Sequence, residues 1–214
     1  MTLVSVIIPT YNRAELLMTR ALPSVLSQTH SELDIHVVGD GTDQATVDAL
    51  ATVKDPRVRF TNLQHTDYPS DPLDHWRSMG IPPINHGLDT ARGEWVQILA
   101  DDDAYPPRRT ALLLSLARRH RADMAYGRSR FLGRRLGLFG GPARRNGQYM
   151  TDGAFILRAS LGYRYDPDAW KRQIIADCDL RRRLFRDRVR MAFTPEVVYL
   201  YWPATVFESC ASSS

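Results

Sequence analysis

Three consecutive aspartates, Asp101, Asp102 and Asp103, are the residues of this sequence that most clearly suggest chemistry. Ionised carboxylates this close repel one another, and a divalent cation between them relieves the repulsion. Such a cation, Mg²⁺ or Mn²⁺, commonly completes its coordination shell with water and substrate phosphates. The aspartates therefore predict a metal site that holds a diphosphate. The alternative is a solvated acidic turn in front of a helix that begins near Pro106.

Two further polar clusters lie at comparable points of the sequence. Thr10-Tyr11-Asn12 and Asp40-Gly41 each follow an apolar run that is typical of a buried strand, as Asp101–Asp103 does. In parallel α/β sheets, ligands bind beyond the carboxyl ends of the strands. We therefore expect the three clusters to meet at one edge of a sheet.

The elements that would position these clusters alternate between strands and helices, which predicts an α/β fold with a mostly parallel central sheet. The predicted strands cover 4–8, 35–38, 57–60, 95–99, 124–126, 189–193 and 197–201. The predicted helices cover 12–28, 42–51, 85–91, a segment after residue 107, and 169–186. Segments 67–83 and 127–148 are predicted as loops, the first with at most short helices and the second as a loop or hairpin.

Four residues set the expected details of the first two helices. Asn12, with Glu15 three residues on, is typical of an N-cap with a capping box. Thr42 is the expected N-cap of the next helix. Pro23 lies inside the first helical pattern and should kink or divide that helix.

The chain has 214 residues, which suits a single globular domain. Its apolar runs are too short for a transmembrane helix, and its amino terminus lacks the features of a signal peptide. Cys178 and Cys210 are too few for a disulfide framework. The six histidines show no metal-ligand spacing. A cytoplasmic location is the simplest expectation.

Charge is distributed unevenly along the chain. Residues 1–103 contain 7 Lys and Arg against 15 Asp and Glu, whereas residues 104–214 contain 21 against 9. The basic half could suit a phosphorylated substrate, an anionic membrane surface or nucleic acid, or it could be a solvated face in an arginine-rich sequence. We expect no nucleic-acid binding, because aromatic stacking platforms and a groove-reading helix are lacking.

Two groups of arginines account for much of this basic charge. The first group, in a glycine-rich segment, could clamp a diphosphate or attract an anionic acceptor. It comprises Arg128, Arg130, Arg134, Arg135, Arg144 and Arg145. The second group is expected to be a solvated helix face. It comprises Arg181, Arg182, Arg183, Arg186, Arg188 and Arg190.

Six sequence signatures, in order over residues 4–201, resemble those of family-2 glycosyltransferases with the GT-A fold. They are 5–13 (SVIIPTYNR), 24–29 (SVLSQT), 37–42 (VVGDGT), 85–103 with NHGL, ARGE and LADDD, 176–180 (ADCDL) and 193–197 (FTPEV). The sequence departs from the usual pattern at Gly39, Ile84 and Ala176, and it has no histidine after His120. The resemblance implies one domain over 1–208, with a nucleotide-sugar-binding half (1–103), an acceptor-binding half (104–208) and a disordered tail (209–214).

The resemblance also implies roles for particular residues. Asp177 would be the general base that deprotonates the acceptor hydroxyl, and Asp102 would hold the metal, with Asp103 as an alternative ligand. The nucleotide would be bound by Pro9, Thr10, Tyr11, Asp40, Arg77 and Asp101. The acceptor would contact Thr151, Asp152, Gly153 and Trp170.

The implied activity is a metal-dependent, inverting transfer of a single sugar from a nucleotide-diphospho-sugar, with a UDP-sugar favoured, to an acceptor hydroxyl. The acceptor could be a small molecule, a lipid-linked glycan or a peptide, and the arginine-rich half could contact a membrane peripherally. Three alternatives remain open: a non-catalytic nucleotide-sugar-binding regulator of the same fold, a nucleotidyltransferase, and a binding module that uses the basic half.

Overall fold

A computed structural model describes residues 2–132, 137–142 and 150–202, with only the backbone described at Asp152. In these ranges eight strands form one sheet, flanked by helices. The strands are β1 (Val4–Thr10), β2 (Leu33–Asp40), β3 (Val58–Leu63), β4 (Trp95–Ile98), β5 (Met124–Phe131), β6 (Gly137–Phe139), β7 (Phe155–Arg158) and β8 (Met191–Tyr201). The helices are α1 (Ala14–Leu16), α2 (Leu22–Leu26), α3 (Gln44–Ala51), α4 (Pro72–Ser78), α5 (Ile81–Asp89), α6 (Arg109–Arg119) and α7 (Ala176–Arg186).

The sheet has the order β3-β2-β1-β4-β7-β5-β6, and β8 also pairs with β5. The strands from β3 to β4 are parallel to one another, as the sequence predicts. β7 is antiparallel to both β4 and β5, whereas β8 is parallel to β5. The sheet therefore has a parallel half, whose carboxyl ends lie at one edge, and a mixed half that follows it in sequence.

β1 lies at the centre of the parallel half and is buried on both faces. Val4, Val6 and Ile8 pack in one hydrophobic cluster with residues of α2 and α6. Ile7 packs in the other, with residues of α5 and α7. A strand covered on both faces needs a continuous apolar run, which explains the sequence of this segment.

The first helix is divided, as Pro23 predicts. A π-helical turn, Leu17–Ala21, joins α1 to α2, and Pro23 is the second residue after that turn, where its missing N–H and its ring interrupt the regular helical hydrogen bonds. The predicted caps are wrong. Asn12 adopts a left-handed conformation and Arg13 occupies the N-cap position of α1, while the cap of α3 is Asp43 instead of Thr42.

Several predicted boundaries also differ from the structure. Segment 67–83 contains one short helix, α4, capped by Asp71, which the prediction allows. α5 begins at Ile81 instead of residue 85, and its first turn accommodates two prolines. The predicted helix 169–186 consists of a 3₁₀ turn, Ala169–Arg172, followed by α7. The short strand β7 was not predicted at all.

The last two predicted strands form a single strand, β8. Its register against β5 shifts around Pro195, where a bulge accommodates a residue that cannot donate to the ladder. β5 extends to Phe131 and pairs with β6, so a hairpin forms within segment 127–148. No helix among the described residues is long and apolar enough to cross a bilayer.

Candidate active site

The three polar clusters meet at the carboxyl edge of the parallel strands. The Thr10 hydroxyl after β1 donates a 2.8 Å hydrogen bond to Asp101 after β4. The backbone N–H of Asn12 donates a 2.9 Å hydrogen bond to the hydroxyl of Thr42, which follows β2. The side-chain oxygen of Asn12 accepts a 2.7 Å hydrogen bond from the backbone N–H of Asp43. The left-handed conformation of Asn12, which asparagine tolerates better than most residues, thus ties two loops together.

The acidic turn Asp101–Asp103 places its three carboxylates in different surroundings. Asp103 is 1% exposed, and both of its oxygens accept hydrogen bonds, from the Tyr199 hydroxyl at 2.6 Å and from the Trp202 N–H at 2.8 Å. Burial raises the pKa of Asp103 to about 7, although these two donors favour the charged form. Burial also raises the pKa of Asp101, against the hydrogen bond from Thr10 and the charge of Arg13.

Asp102 is the most accessible carboxylate of the turn, with a side chain that is 20% exposed. Its carboxylate forms an ion pair with Arg13, and its backbone carbonyl accepts a hydrogen bond from Arg20. The Arg20 guanidinium also stacks on the ring of Trp202, with 4.2 Å between the guanidinium carbon and the ring centroid. The acidic turn is therefore held from both sides by cationic side chains.

The residues of this turn fit a hard cation in part. Carboxylate oxygens are the ligands that Mg²⁺ and Mn²⁺ prefer, and Asp102 is open to solvent. Among the described residues, however, no three His, Cys, Asp or Glu side chains are grouped so as to hold a metal ion. Asp103 is directed towards β8, which makes Asp102 the better candidate. A cation here would need ligands from water or from a bound diphosphate.

Asp40 lies buried at the end of β2 and organises the segment after β3. Its Oδ1 accepts hydrogen bonds from the Thr66 N–H at 3.0 Å and the Thr66 hydroxyl at 2.8 Å, and its Oδ2 accepts from the Tyr68 hydroxyl at 2.6 Å. A carboxylate has about four lone-pair positions, so one position remains for a further donor. Burial and the Asp40 charge raise the pKa of Tyr68 well above its ordinary value.

Tyr11 presents an aromatic face at the same edge. It is 47% exposed, and its ring stacks on His65 with 4.7 Å between the ring centroids. A cavity of about 600 Å³ begins at His65 and is lined by residues 65–70, Pro72 and His75. His65, Thr66 and Tyr68 were missed from the sequence; their position directly after a predicted strand was the one signal that pointed to them.

Gly39, one of the departures from the usual pattern, has a structural reason. A Cβ at this position would lie 2.5 Å from the side-chain oxygen of Asn62, which accepts a hydrogen bond from the Thr42 N–H. Glycine therefore lets β3 hold the loop after β2 in place. Pro9 directly precedes Thr10 in β1 and is also predicted to border the nucleotide. It pairs with Val38 in the β1–β2 register.

Arg77 lies on α4, where it forms an ion pair of 2.8 Å with Asp74 one turn earlier. This pairing already neutralises its charge, and Arg77 makes no hydrogen bond or ion pair with Asp40 or the acidic turn within the described part of the chain. A role for Arg77 in nucleotide binding stays a prediction, and it would require this ion pair to open.

Asp177 lies in the first turn of α7. Its Oδ2 is 3.1 Å from the Arg181 guanidinium, and its Oδ1 is buried without a hydrogen-bond partner in the described part of the chain. The free acceptor position of this oxygen would suit a general base once an acceptor hydroxyl reached it. Ala176, where a larger acidic residue is usual, is buried in the hydrophobic cluster that α7 covers.

The segment predicted to face the acceptor lies between α7 and the acidic turn. Arg181 donates a hydrogen bond to the carbonyl of Met150, directly before Thr151, whose hydroxyl contacts Ser129. At Gly153 a Cβ would lie 1.9 Å from the ring of Tyr199. Because the Tyr199 hydroxyl holds Asp103, this segment connects the helix of Asp177 with the acidic turn.

Trp170 and Asp152 are the other two residues predicted to contact the acceptor. Trp170 lies half-buried in the 3₁₀ turn, with the Lys171 amine 5.7 Å from its ring centroid. The side chain of Asp152 lies outside the described residues.

The structure describes only part of the first arginine group. Arg128 and Arg130 lie on β5, whereas the four arginines at 134, 135, 144 and 145 lie outside the described residues. The tail 209–214 also lies outside them. The prediction of a solvated helix face is wrong for Arg181 and Arg183. Their side chains are 13% and 24% exposed and make specific contacts, Arg183 with Asp179 at 2.7 Å.

The sequence profile of glycosyl transferase family 2 matches residues 5–71 and 76–190. This match covers most of the sequence, and the chain belongs to that family. Succinoglycan biosynthesis protein ExoO of Rhizobium meliloti is 30% identical over 114 residues, which are 53% of this chain and 29% of that protein. A GalNAc(5)-diNAcBac-PP-undecaprenol beta-1,3-glucosyltransferase of Campylobacter jejuni is 31% identical over 99 residues, 46% of this chain and 29% of that protein.

Solved structures confirm the GT-A architecture. S. aureus TarS 1-349 in complex with UDP superimposes with a TM-score of 0.72 at 16% identity, over 94% of this chain and 61% of that one. A mannosyltransferase of Pyrobaculum calidifontis, PcManGT, in complex with GDP-Man and Mn²⁺, gives a TM-score of 0.67 at 16% identity, over 98% of this chain and 59% of that one. The chain thus spans about three tenths of these curated relatives and about six tenths of these structures.

Proposed function

We propose that this chain carries the catalytic site of a metal-dependent, inverting glycosyltransferase that moves one sugar from a nucleotide-diphospho-sugar to an acceptor hydroxyl. The observation that carries the proposal is the meeting of Tyr11, Asp40 and the acidic turn at one sheet edge. The face of Tyr11 suits a nucleobase, and the open carboxylate of Asp102 suits a cation that also binds a diphosphate.

The base would stack on Tyr11 and donate an N–H to the remaining lone pair of Asp40, beside Pro9 and Thr10. Asp101 would contact the ribose or the metal. We favour a UDP-sugar, and the likeness to TarS in complex with UDP supports this choice, although PcManGT binds GDP-Man. Arg77 would contribute only if its ion pair with Asp74 opened.

Asp177 would act as the general base. It would remove the proton from the acceptor hydroxyl, whose oxygen attacks the anomeric carbon while the bond from that carbon to the diphosphate breaks. A bound Mn²⁺ or Mg²⁺ would neutralise the charge that grows on the leaving diphosphate. Thr151 and Gly153, between the Asp177 helix and the acidic turn, would line the acceptor side, with Asp152 between them in sequence and Trp170 seven residues before Asp177.

The proposed class of acceptor rests on the name of one relative. The relative from Campylobacter jejuni is named for a polyprenyl-diphosphate-linked glycan, which supports a lipid-linked acceptor among the three candidates. The basic second half of the sequence would then approach an anionic membrane surface peripherally. A small molecule or a peptide would need no such approach.

Turnover tests the proposal. The protein is incubated with UDP-GlcNAc or GDP-Man and Mn²⁺, and release of the nucleoside diphosphate is followed with and without candidate acceptors. The proposal predicts release from one donor, and stimulation of that release by the correct acceptor. Tight donor binding with no release under any condition would favour the non-catalytic regulator instead.

A further inference from the structure

The guanidinium of Arg13 bridges the two carboxylates at the start of the acidic turn. Its Nη1 atom lies 2.6 Å from Oδ2 of Asp102 and 3.2 Å from Oδ1 of Asp101. A single nitrogen that contacts both carboxylates occupies the position of a shared counter-cation. It neutralises the repulsion that would otherwise favour a metal ion between these side chains.

Arg13 keeps its positive charge in this position. Asp101 and Asp102 together raise its pKa above the already high value of an arginine, although burial opposes them. The Arg13 side chain is nevertheless 39% exposed, so that it has room to leave. Arg20, the other arginine at the turn, lies between the ring of Trp202 and the carbonyl of Asp102, which fixes it in place.

We propose that Arg13 is the resident counter-cation of the acidic turn, that a divalent metal displaces it from Asp102, and that the released guanidinium binds the donor diphosphate. This inference rests on the proposed function. It assigns two states to one side chain: paired with carboxylates when the site is empty, and paired with phosphate oxygens when donor and metal are bound.

The exchange preserves the pairing of every charge. When the metal takes over the carboxylate of Asp102, Arg13 loses its closest anion, and the diphosphate brings new ones to the same place. In the structure Arg13 contacts the carboxylates through Nη1 alone, whereas a planar guanidinium can bind phosphate oxygens through two N–H groups at once. Metal alone would bind weakly, because it would displace Arg13 without offering that side chain another anion.

The test measures the binding of Mn²⁺ alone, by electron paramagnetic resonance, and the binding of UDP at saturating Mn²⁺, by calorimetry. Wild type is compared with Arg13→Gln, with Arg13→Lys and with a control, Arg190→Gln, which removes an exposed ion pair to Asp123 on β5's amino-terminal side. Arg13→Gln should bind Mn²⁺ alone about tenfold more tightly and UDP with Mn²⁺ about tenfold more weakly. Arg13→Lys, which keeps the charge without the fork, should fall between, and the control should match wild type.

Opposite changes in the two affinities support the exchange. An unchanged or weaker affinity of Arg13→Gln for Mn²⁺ alone would overturn it, and Arg13→Lys gives the same decision if the glutamine variant does not fold. Failure of wild type to bind UDP would instead count against the proposed function and the diphosphate contact. A tighter affinity for Mn²⁺ in Arg13→Gln would still support the displacement in that case.

Discussion

The hydroxyl of Tyr199 lies 2.6 Å from Oδ2 of Asp103, so that the last strand of the sheet is hydrogen-bonded to the acidic turn after β4. The two residues are 96 positions apart in sequence, and both are buried. The ring of the same tyrosine packs against Gly153. One side chain thus positions both the acidic turn and the segment that precedes β7.

Tyr199→Phe removes the hydroxyl and leaves a buried carboxylate oxygen without its donor. We expect a loss of about 1–3 kcal/mol in the free energy of unfolding, measured by urea denaturation. Tyr163→Phe is the matched control, because its hydroxyl donates to Asp187 at the protein surface. Equal losses in the two variants would show that the contact to Asp103 contributes no more than an exposed hydrogen bond.

Gly153→Ala would force the ring of Tyr199 or the backbone of the segment to move. The new Cβ would lie 1.9 Å from a buried aromatic carbon, and such overpacking typically costs about 1–3 kcal/mol. Gly137→Ala, on β6, places its Cβ more than 4 Å from every described atom outside its chain neighbours and should change stability by less than about 0.5 kcal/mol. Thermal unfolding of both variants decides this, and a stable Gly153→Ala protein would mean that the segment yields easily.

His36 makes stability depend on pH. It is buried between the hydroxyls of Thr61 and Thr90, and burial lowers its pKa to about 4. The unfolded state therefore binds more protons than the folded state between that value and about 6.5, and stability falls as the pH falls through this range.

Urea denaturation at pH 7 and pH 5 tests this effect against His36→Gln. Wild type should lose about 2 kcal/mol more than the variant between the two pH values. Asp103, whose pKa is raised to about 7, acts in the opposite direction, but it does so in both proteins and cancels in the difference. The same pH dependence in wild type and variant would contradict the account of His36.

Tyr11→Ala should weaken the binding of the nucleotide about tenfold by removing the stacking face, whereas Tyr11→Phe should keep most of the affinity. Calorimetric titration with UDP and Mn²⁺ measures both. Leu138→Ala, which truncates another exposed apolar residue, on β6, is the control and should bind as wild type does. Unchanged affinity in Tyr11→Ala would place the base elsewhere.

Asp177→Asn should retain donor binding and lose transfer. Removal of a general base typically lowers the rate about 10²–10⁴-fold, while a neutral amide of the same shape preserves the start of α7. The rate of nucleotide release with acceptor, set against the affinity for UDP, separates the two effects. A variant that transfers sugar normally would require another base.

The sequence predicts well those parts of the molecule that depend on local pattern. The unbroken apolar run of β1 reveals a strand buried on both faces, and Pro23 reveals the division of the first helix. The meeting of Thr10 with Asp101 is predictable because the carboxyl ends of parallel strands share one edge. The family signatures add the GT-A architecture.

The parts that were not predicted depend on contacts between distant residues. Asparagine is a residue type that often caps helices, but the side chain of Asn12 accepts a hydrogen bond from Asp43 in the loop after β2 instead. β7 is only four residues long and exists because its neighbours β4 and β5 pair with it on both sides. Likewise, the hydrogen bond from Tyr199 to Asp103 joins residues that are distant in sequence, and local pattern does not predict it. The same holds for the hydrogen bond from Tyr68 to Asp40.

The most direct test of the central claim is a calorimetric titration of UDP into wild type and Asp102→Asn, each with and without Mn²⁺. Wild type should bind UDP only weakly without the metal and much more tightly with it, and Asp102→Asn should lose the increase. Binding that is absent under every condition, or that does not depend on the metal and on Asp102, would contradict a metal-dependent nucleotide-sugar site at this edge of the sheet.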